Sequence, residues 1–157
     1  MLLRMADHTL LDAEGLGDCR VISLRGREAI NEVPRFELVA LAAPGADLAA
    51  LVGSPVGLVL ADGFGGTRAL TLTVVSASDQ GASRDGQAYE LVLSHALAAL
   101  GHRAQHRIFQ EKTAQEIVSA LLDEAGLGGD LELRLAGQYQ KRTYCVQYGE
   151  TELDFAA

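Results

Sequence analysis

Leu70-Thr71-Leu72-Thr73-Val74 places an apolar side chain at every second position, the period of a pleated strand with one dry and one wet face. Phe36, Leu38 and Ala40 repeat the pattern, as do Val56, Leu58 and Leu60, and then Tyr89, Leu91 and Leu93; Ile22 and Leu24 form a shorter first member. Between these runs lie Pro44-Gly45-Ala46, Asp62-Gly63-Phe64-Gly65-Gly66 and Arg84-Asp85-Gly86. Their glycines tolerate the positive φ that hairpin loops require. Several short strands at this spacing predict a small antiparallel barrel or sandwich from residue 19 to about residue 95. One helical turn is expected at Asp47 to Val52, where Asp47 can cap free amides and Gly53 ends the run.

From about residue 96 the period changes. Thr113 and Glu116 form a Thr-x-x-Glu capping box, and Ala114, Ile117, Val118, Leu121 and Leu122 build one apolar face, so a helix is predicted over Thr113 to Ala125 with Gly126 as its stop. Leu131, Leu133 and Leu135 alternate with Glu132 and Arg134, and Tyr144, Val146 and Tyr148 alternate with Cys145 and Gln147, predicting two further strands. Thr151 with Asp154 three residues on reads as another helix start. A helix ending at Ala157 would be too short to sustain itself, so the natural chain is expected to continue. The expected class is mainly β with α (α+β): a small antiparallel β-barrel over residues 1–100, then the beginning of an adjoining α+β domain over 101–157, incomplete at its C-terminus.

The 157 residues suit one ordinary domain, or one domain plus part of a second. With 13 basic against 21 acidic side chains, the formal charge is −8, which repels nucleic acid and anionic lipid. No run reaches the roughly 20 apolar residues of a membrane span. Met1 to Asp7 lacks the sustained apolar core of a secretory leader. Cys19 and Cys145 match neither a Cys-x-x-Cys pair nor a zinc spacing, and two reduced thiols are the default reading. Cys145, inside an apolar strand, is expected to be buried and inert.

Candidate chemistry is sparse. His102 and His106 have the spacing of two zinc ligands on one helix face, but no Glu lies between them, and Arg103 and Arg107 flank the pair with opposing charge. Glu150, Glu152 and Asp154 resemble an acid/base cluster, yet their place at a helix start explains them by capping and dipole. The Gly63 to Gly66 loop precedes a strand and so presents no helix N-terminus to phosphate. No Gly-x-Ser-x-Gly elbow occurs, and Ser54 has no evident histidine and acid around it. Arg103, Arg107, Lys112, Lys141 and Arg142 read as a solvated face able to meet an acidic partner. No catalytic, cofactor-binding or metal site is expected.

Three stretches together are more specific. His102-Arg-Ala-Gln-His-Arg-Ile-Phe-Gln110, Tyr139-Gln-Lys-Arg-Thr-Tyr-Cys-Val-Gln-Tyr148 and Glu150-Thr-Glu-Leu-Asp-Phe155 closely resemble, in wording and order, the VgrG spike protein family of type VI secretion systems. The residues that carry the likeness are Arg107, Ile108, Phe109, Gln110, Tyr139, Arg142, Tyr144, Cys145, Val146, Gln147, Tyr148, Leu153, Asp154 and Phe155. Gly26-Arg-Glu-Ala-Ile30, Phe36-Glu-Leu38, the Leu48 to Pro55 turn and Tyr89-Glu-Leu-Val-Leu93 fit more loosely. Ser94-His95-Ala96 departs from the family, which usually has a Pro-Trp pair there.

The resemblance implies a tail-hub-like fold and a structural, non-enzymatic part of a spike. It implies a homotrimer in the full-length family, docking on the tube of haemolysin-coregulated protein and contacts with other secretion-apparatus subunits. It also implies assembly in the bacterial cytoplasm and export by the type VI apparatus without a signal peptide. Two rival readings stand beside it: a tail-hub or baseplate protein of a contractile phage, and a small barrel hydrolase or ligand-binding domain using His102, His106 and the Glu150 to Asp154 cluster.

Overall fold

The computed structural model describes residues 9–61, 64 and 66–157. Segment 1–8, read above as lacking a leader core, lies outside the described residues, as do Asp62, Gly63 and Gly65 of the expected hairpin loop. The chain divides into two compact units, Met1–His95 and Ala96–Ala157.

The first unit is one antiparallel sheet of six strands in the order β1-β4-β5-β6-β3-β2. The strands are β1 (Thr9–Asp12), β2 (Arg20–Arg27), β3 (Arg35–Ala42), β4 (Pro55–Ala61), β5 (Thr67–Ser83) and β6 (Gly86–Ser94), with helix α1 (Leu48–Leu51) between β3 and β4. The sheet curls until its edge strands β1 and β2 come within 8 Å at their Cα atoms, a half-barrel around one core. Leu38, Leu58, Leu91 and Leu93 are fully enclosed there, as their alternation requires. Leu51 of α1 joins the same core; Asp47 caps the helix by accepting from the Ala49 and Ala50 amides at 3.1 and 3.2 Å. Buried Tyr89 fixes the chain before α1, its hydroxyl accepting from the Gly45 and Ala46 amides and donating to the Ala43 carbonyl at 3.2 Å.

Three details differ from the sequence reading. Strand β1 was not anticipated. Ile22 points outward while Val21 and Leu24 are buried, because a bulge between Val21 and Ser23 inserts one residue and reverses the alternation. Strand β5 runs far past Val74, with bulges at Val74/Ser76 and Asp79/Gly81 that bend it while it keeps its pairing with β6.

The second unit holds a two-stranded antiparallel ladder, β7 (Ala104–Lys112) with β8 (Arg142–Thr151). Helix α2 (Ala114–Glu124) and the short α3 (Glu152–Ala156) accompany it, with 3-10 turns at Ala96–His102 and Gly128–Asp130. The expected capping box is present: the Thr113 hydroxyl accepts from the Glu116 amide at 3.3 Å, and the Glu116 carboxylate accepts from the Thr113 amide at 2.7 Å. Gly126, with φ of +76°, takes the left-handed position that closes the helix, and Leu127 donates back to the Leu122 carbonyl at 2.8 Å. The strand expected at Leu131, Leu133 and Leu135 does not form. Alternation needs a ladder partner to become a strand; β7 and β8 take each other, and Leu133 and Leu135 stay half exposed.

Two predictions follow from these local arrangements. A Cβ on Gly26 would lie 2.5 Å from the ring of Phe36, its register partner in the core. Gly26→Ala is therefore expected to displace that ring and lower stability by about 1–3 kcal/mol in urea unfolding; an unchanged midpoint would remove the close approach from the account. The Glu116 carboxyl is held below the ordinary glutamate range, first by the Thr113 amide and then by the Thr113 side chain. A lowered folded value means that this bond supports α2 fully above the unfolded glutamate pKa and is lost as pH falls through the folded value. In an NMR titration the Thr113 amide shift should move below the ordinary glutamate range, and Glu116→Gln should abolish the movement.

Candidate functional site

The β8 sequence has two parities with different fates. Register pairs His106 with Tyr148, Ile108 with Val146 and Gln110 with Tyr144, and this set looks outward: Tyr148 is 81% exposed and Ile108 65%. The opposite parity, Arg107, Phe109, Cys145 and Gln147, looks inward. Phe109 packs with Ile117 and Leu121 of α2, joined by Cys145 and Phe155; the Phe109 and Phe155 rings stack at 5.8 Å. The alternating tyrosines and valine noted in the sequence are thus the wet face of the ladder, and Cys145 is half-buried at the margin of the core instead of enclosed in it.

A charged cluster sits on the inward side. Glu152, the first residue of α3, is completely buried. Its Oε1 accepts from Arg107 Nη2, and its Oε2 lies 3.2 Å from Arg103 Nε, at ion-pair distance but without hydrogen-bond alignment. Arg107 also donates from Nε to Gln147 Oε1 at 3.1 Å and from Nη1 to Glu124 Oε2 at 2.5 Å. One guanidinium therefore joins β7, β8, α2 and α3. Gln147, itself buried, donates onward to the Glu150 carbonyl at 3.0 Å, and the Glu152 amide donates to the Arg103 carbonyl at 2.9 Å. A buried carboxylate is tolerated only when paired and hydrogen-bonded, and this geometry supplies both.

These contacts correct the reading of Arg103 and Arg107 as a solvated face, and they show a role for Glu152 that the capping explanation missed. Glu150 and Asp154 do act locally: Glu150 accepts from the Tyr148 amide at 2.8 Å, and Thr151 caps α3, its hydroxyl accepting from the Asp154 amide at 3.1 Å. The three carboxylates thus have three separate sets of partners and converge on no common point. His106 lies in strand β7, not on a helix with His102, and its ring meets Tyr148 edge-on at 5.2 Å. Among the described residues no group of three or more His, Cys, Asp or Glu is placed to hold a metal ion.

Of the remaining signature residues, Tyr139 and Arg142 are exposed, with Arg142 Nη1 3.8 Å from Cys145 Sγ. Leu153 lies 3.6 Å from where a Cβ on Gly101 would stand. The one sequence signal for the buried cluster is parity: Arg107 shares its side of the strand with Phe109, as Gln147 does with Cys145. In the first unit, burial raises the pKa of the Cys19 thiol, and Asp12 and Asp18 add to it. Cys19 donates to the Leu11 carbonyl at 3.6 Å and is poorly disposed to react.

Comparison with known proteins places this arrangement among tail components. A family model described as the phage tail baseplate hub (GPD) matches residues 27–157. The type VI secretion system spike proteins VgrG4b and VgrG5 of Pseudomonas aeruginosa are each 36% identical to the chain, over 94% and 88% of it. The chain spans 18% of the length of either. The fold is similar to that of an Escherichia coli protein, c3393, described as a component of the type VI secretion system with structural similarity to the T4 bacteriophage tail proteins gp27 and gp5. That likeness has a TM-score of 0.73 at 21% identity and covers 99% of this chain and 41% of the other.

The buried cluster predicts an asymmetry between ion pairs. Glu152→Ala leaves Arg107 and Arg103 without their enclosed counter-charge and should cost about 3 kcal/mol or more. Glu132→Ala breaks the exposed pair with Arg134, whose side chains are 71% and 82% accessible, and should cost under about 1 kcal/mol. Urea unfolding of both variants measures the contrast, and equal losses would rule out the cluster as the anchor of α3.

Proposed function

Because the chain belongs to the phage tail baseplate hub (GPD) family, we propose that it is a structural, non-enzymatic part of a type VI secretion spike. In this reading it docks on the tube of haemolysin-coregulated protein and works within a homotrimer of the full-length protein. The observation that carries the proposal is the breadth of the match: the hub model runs through both units, and the spike proteins align over most of the chain. Two features of the molecule support a role through shape. The six-stranded sheet devotes its inward side chains to a single core. Of the carboxylates that could suggest chemistry, Glu152 is tied to Arg107 across the second unit, while Glu150 and Asp154 bind neighbouring groups on their own segment.

The reading extends to place: assembly in the bacterial cytoplasm, then export by the type VI apparatus without a signal peptide. No helix among the described residues is long and apolar enough to cross a membrane. A contractile phage tail hub is the second reading, favoured by the description of the matching family. Neighbouring genes separate the two.

The test is binding to the cognate tube protein. Immobilised on a biosensor, the folded chain should capture that protein saturably and leave an unrelated ring-forming protein unbound. Absence of capture by this chain and by a form extended downstream of Ala157 would overturn the docking role.

A further inference from the structure

Arg84 and Asp85 alone connect β5 to β6, since Ser83 and Gly86 are register partners. The turn ends on Gly86 for two reasons. Its φ of +136° is one that L side chains rarely adopt, and a Cβ there would stand 3.0 Å from the Ala42 carbonyl oxygen on β3. Asp85 is thereby followed by a residue that must lack a side chain. Among the described residues this is the one Asp-Gly pair; the chain's other, Asp62-Gly63, lies outside them.

The Asp85 carboxylate is also loosely held. Its Oδ2 lies 3.7 Å from Arg20 Nη2, beyond hydrogen-bond length, and the two side chains are 66% and 68% accessible. Asp47 and Asp79 are tied instead. Asp47 Oδ1 accepts from the Ala49 and Ala50 amides, and Asp79 Oδ1 accepts from the Gly81 amide at 2.7 Å and from Gln87 Nε2. Such bonds hold a carboxylate on amides beyond the nitrogen of the next residue. Asp85 has no such tether among the described residues. Its Cγ can turn toward the Gly86 nitrogen, with which it closes a five-membered ring, and no side chain on Gly86 obstructs the approach.

We propose that Asp85 is a modification site at which the folded chain forms isoaspartate without an enzyme. The Gly86 nitrogen bonds to Asp85 Cγ, and the carboxyl OH leaves with the amide hydrogen as one water, giving a succinimide. One water then adds back. Opening at Cγ restores aspartate; opening at the α-carbonyl breaks the original link and leaves the main chain running through Cβ and Cγ. No atoms are gained or lost overall, and water is the sole co-reactant. The new link is one backbone atom longer inside a two-residue turn. Gly86 is thereby pushed from its register with Ser83 and from the Ser83 hydroxyl, which donates to its carbonyl at 2.8 Å. The inference concerns the β5–β6 turn alone and stands apart from docking to a tube.

The test is storage of the chain at neutral pH and physiological temperature for several weeks, with far-UV circular dichroism confirming that it remains folded. Peptide mapping with electron-transfer fragmentation, which separates the two linkages, should find isoaspartate at Asp85 at least about tenfold above that at Asp47 and Asp79. Asp85→Glu, which would need a six-membered ring, should lose the signal. Asp85→Asn, which expels ammonia in place of water, should form isoaspartate faster than the parent. Levels at Asp85 no higher than at Asp47 and Asp79 overturn the proposal. So does isoaspartate at Asp85 that forms only in a chain unfolded by guanidinium, since the folded turn would then be protecting the bond. A signal at Asp62-Gly63 with none at Asp85 counts the same way.

Discussion

The second unit depends on one guanidinium. Arg107 reaches Gln147, Glu124 and Glu152 with three different nitrogens, and those partners lie on β8, α2 and α3. The apolar cluster of Phe109, Ile117, Leu121, Cys145 and Phe155 spans the same elements but has few members. A helix of five residues has too little length to stabilise itself. What holds α3 is its enclosed first residue, the stacking of Phe155 on Phe109, and the Thr151 cap. Charge burial costs free energy unless the pairing is complete, so Glu152 is stable only where Arg107 and Arg103 already stand. The network thus fixes the angle at which the chain leaves β8, which a purely apolar contact, indifferent to orientation, would leave less defined.

In the first unit the organising constraint is closure. A six-stranded antiparallel sheet with one apolar face must curl to cover that face, and the bulges in β2 and β5 supply the bending. Helix α1 then places Leu51 into the core, and the Tyr89 hydroxyl satisfies the backbone of the loop that leads to it. The first unit is thus consolidated by non-polar area, and the second by a small apolar cluster together with a polar network.

Local signals were legible in the sequence, and non-local ones were not. The capping box of α2, its apolar face and its stop at Gly126 all lie within a few residues of one another, and the structure contains each of them. The alternations in β3 to β6 were equally plain because the inward residues there are uniformly apolar. Ile22 misled because one inserted residue reverses every side chain after it. Strand β7 escaped notice because its inward positions include Arg107 beside Phe109, so apolar character does not alternate along it. Leu131 to Leu135 misled for the reverse reason: the pattern was present but no neighbouring strand was. The Arg107–Glu152 pair joins positions 45 residues apart, and the one local signal, the shared parity of Arg107 and Phe109, does not point to Glu152.

The family resemblance was readable both on β7, whose strand was missed, and on β8, whose strand was expected and forms, and the ladder explains why. The matching words Arg-Ile-Phe-Gln and Tyr-Cys-Val-Gln-Tyr fall on β7 and β8 and interleave two surfaces in one string. One parity, with Arg107, Phe109, Cys145 and Gln147, is constrained by packing and hydrogen bonding inside the unit. The other, with Ile108, Tyr144, Val146 and Tyr148, is exposed, with Tyr148 meeting the His106 ring edge-on. A strand whose sole task was to shield the inner core could carry polar residues on its wet face at no loss of stability, and with a gain in solubility. The apolar side chains on that face are therefore not explained by the inner core alone.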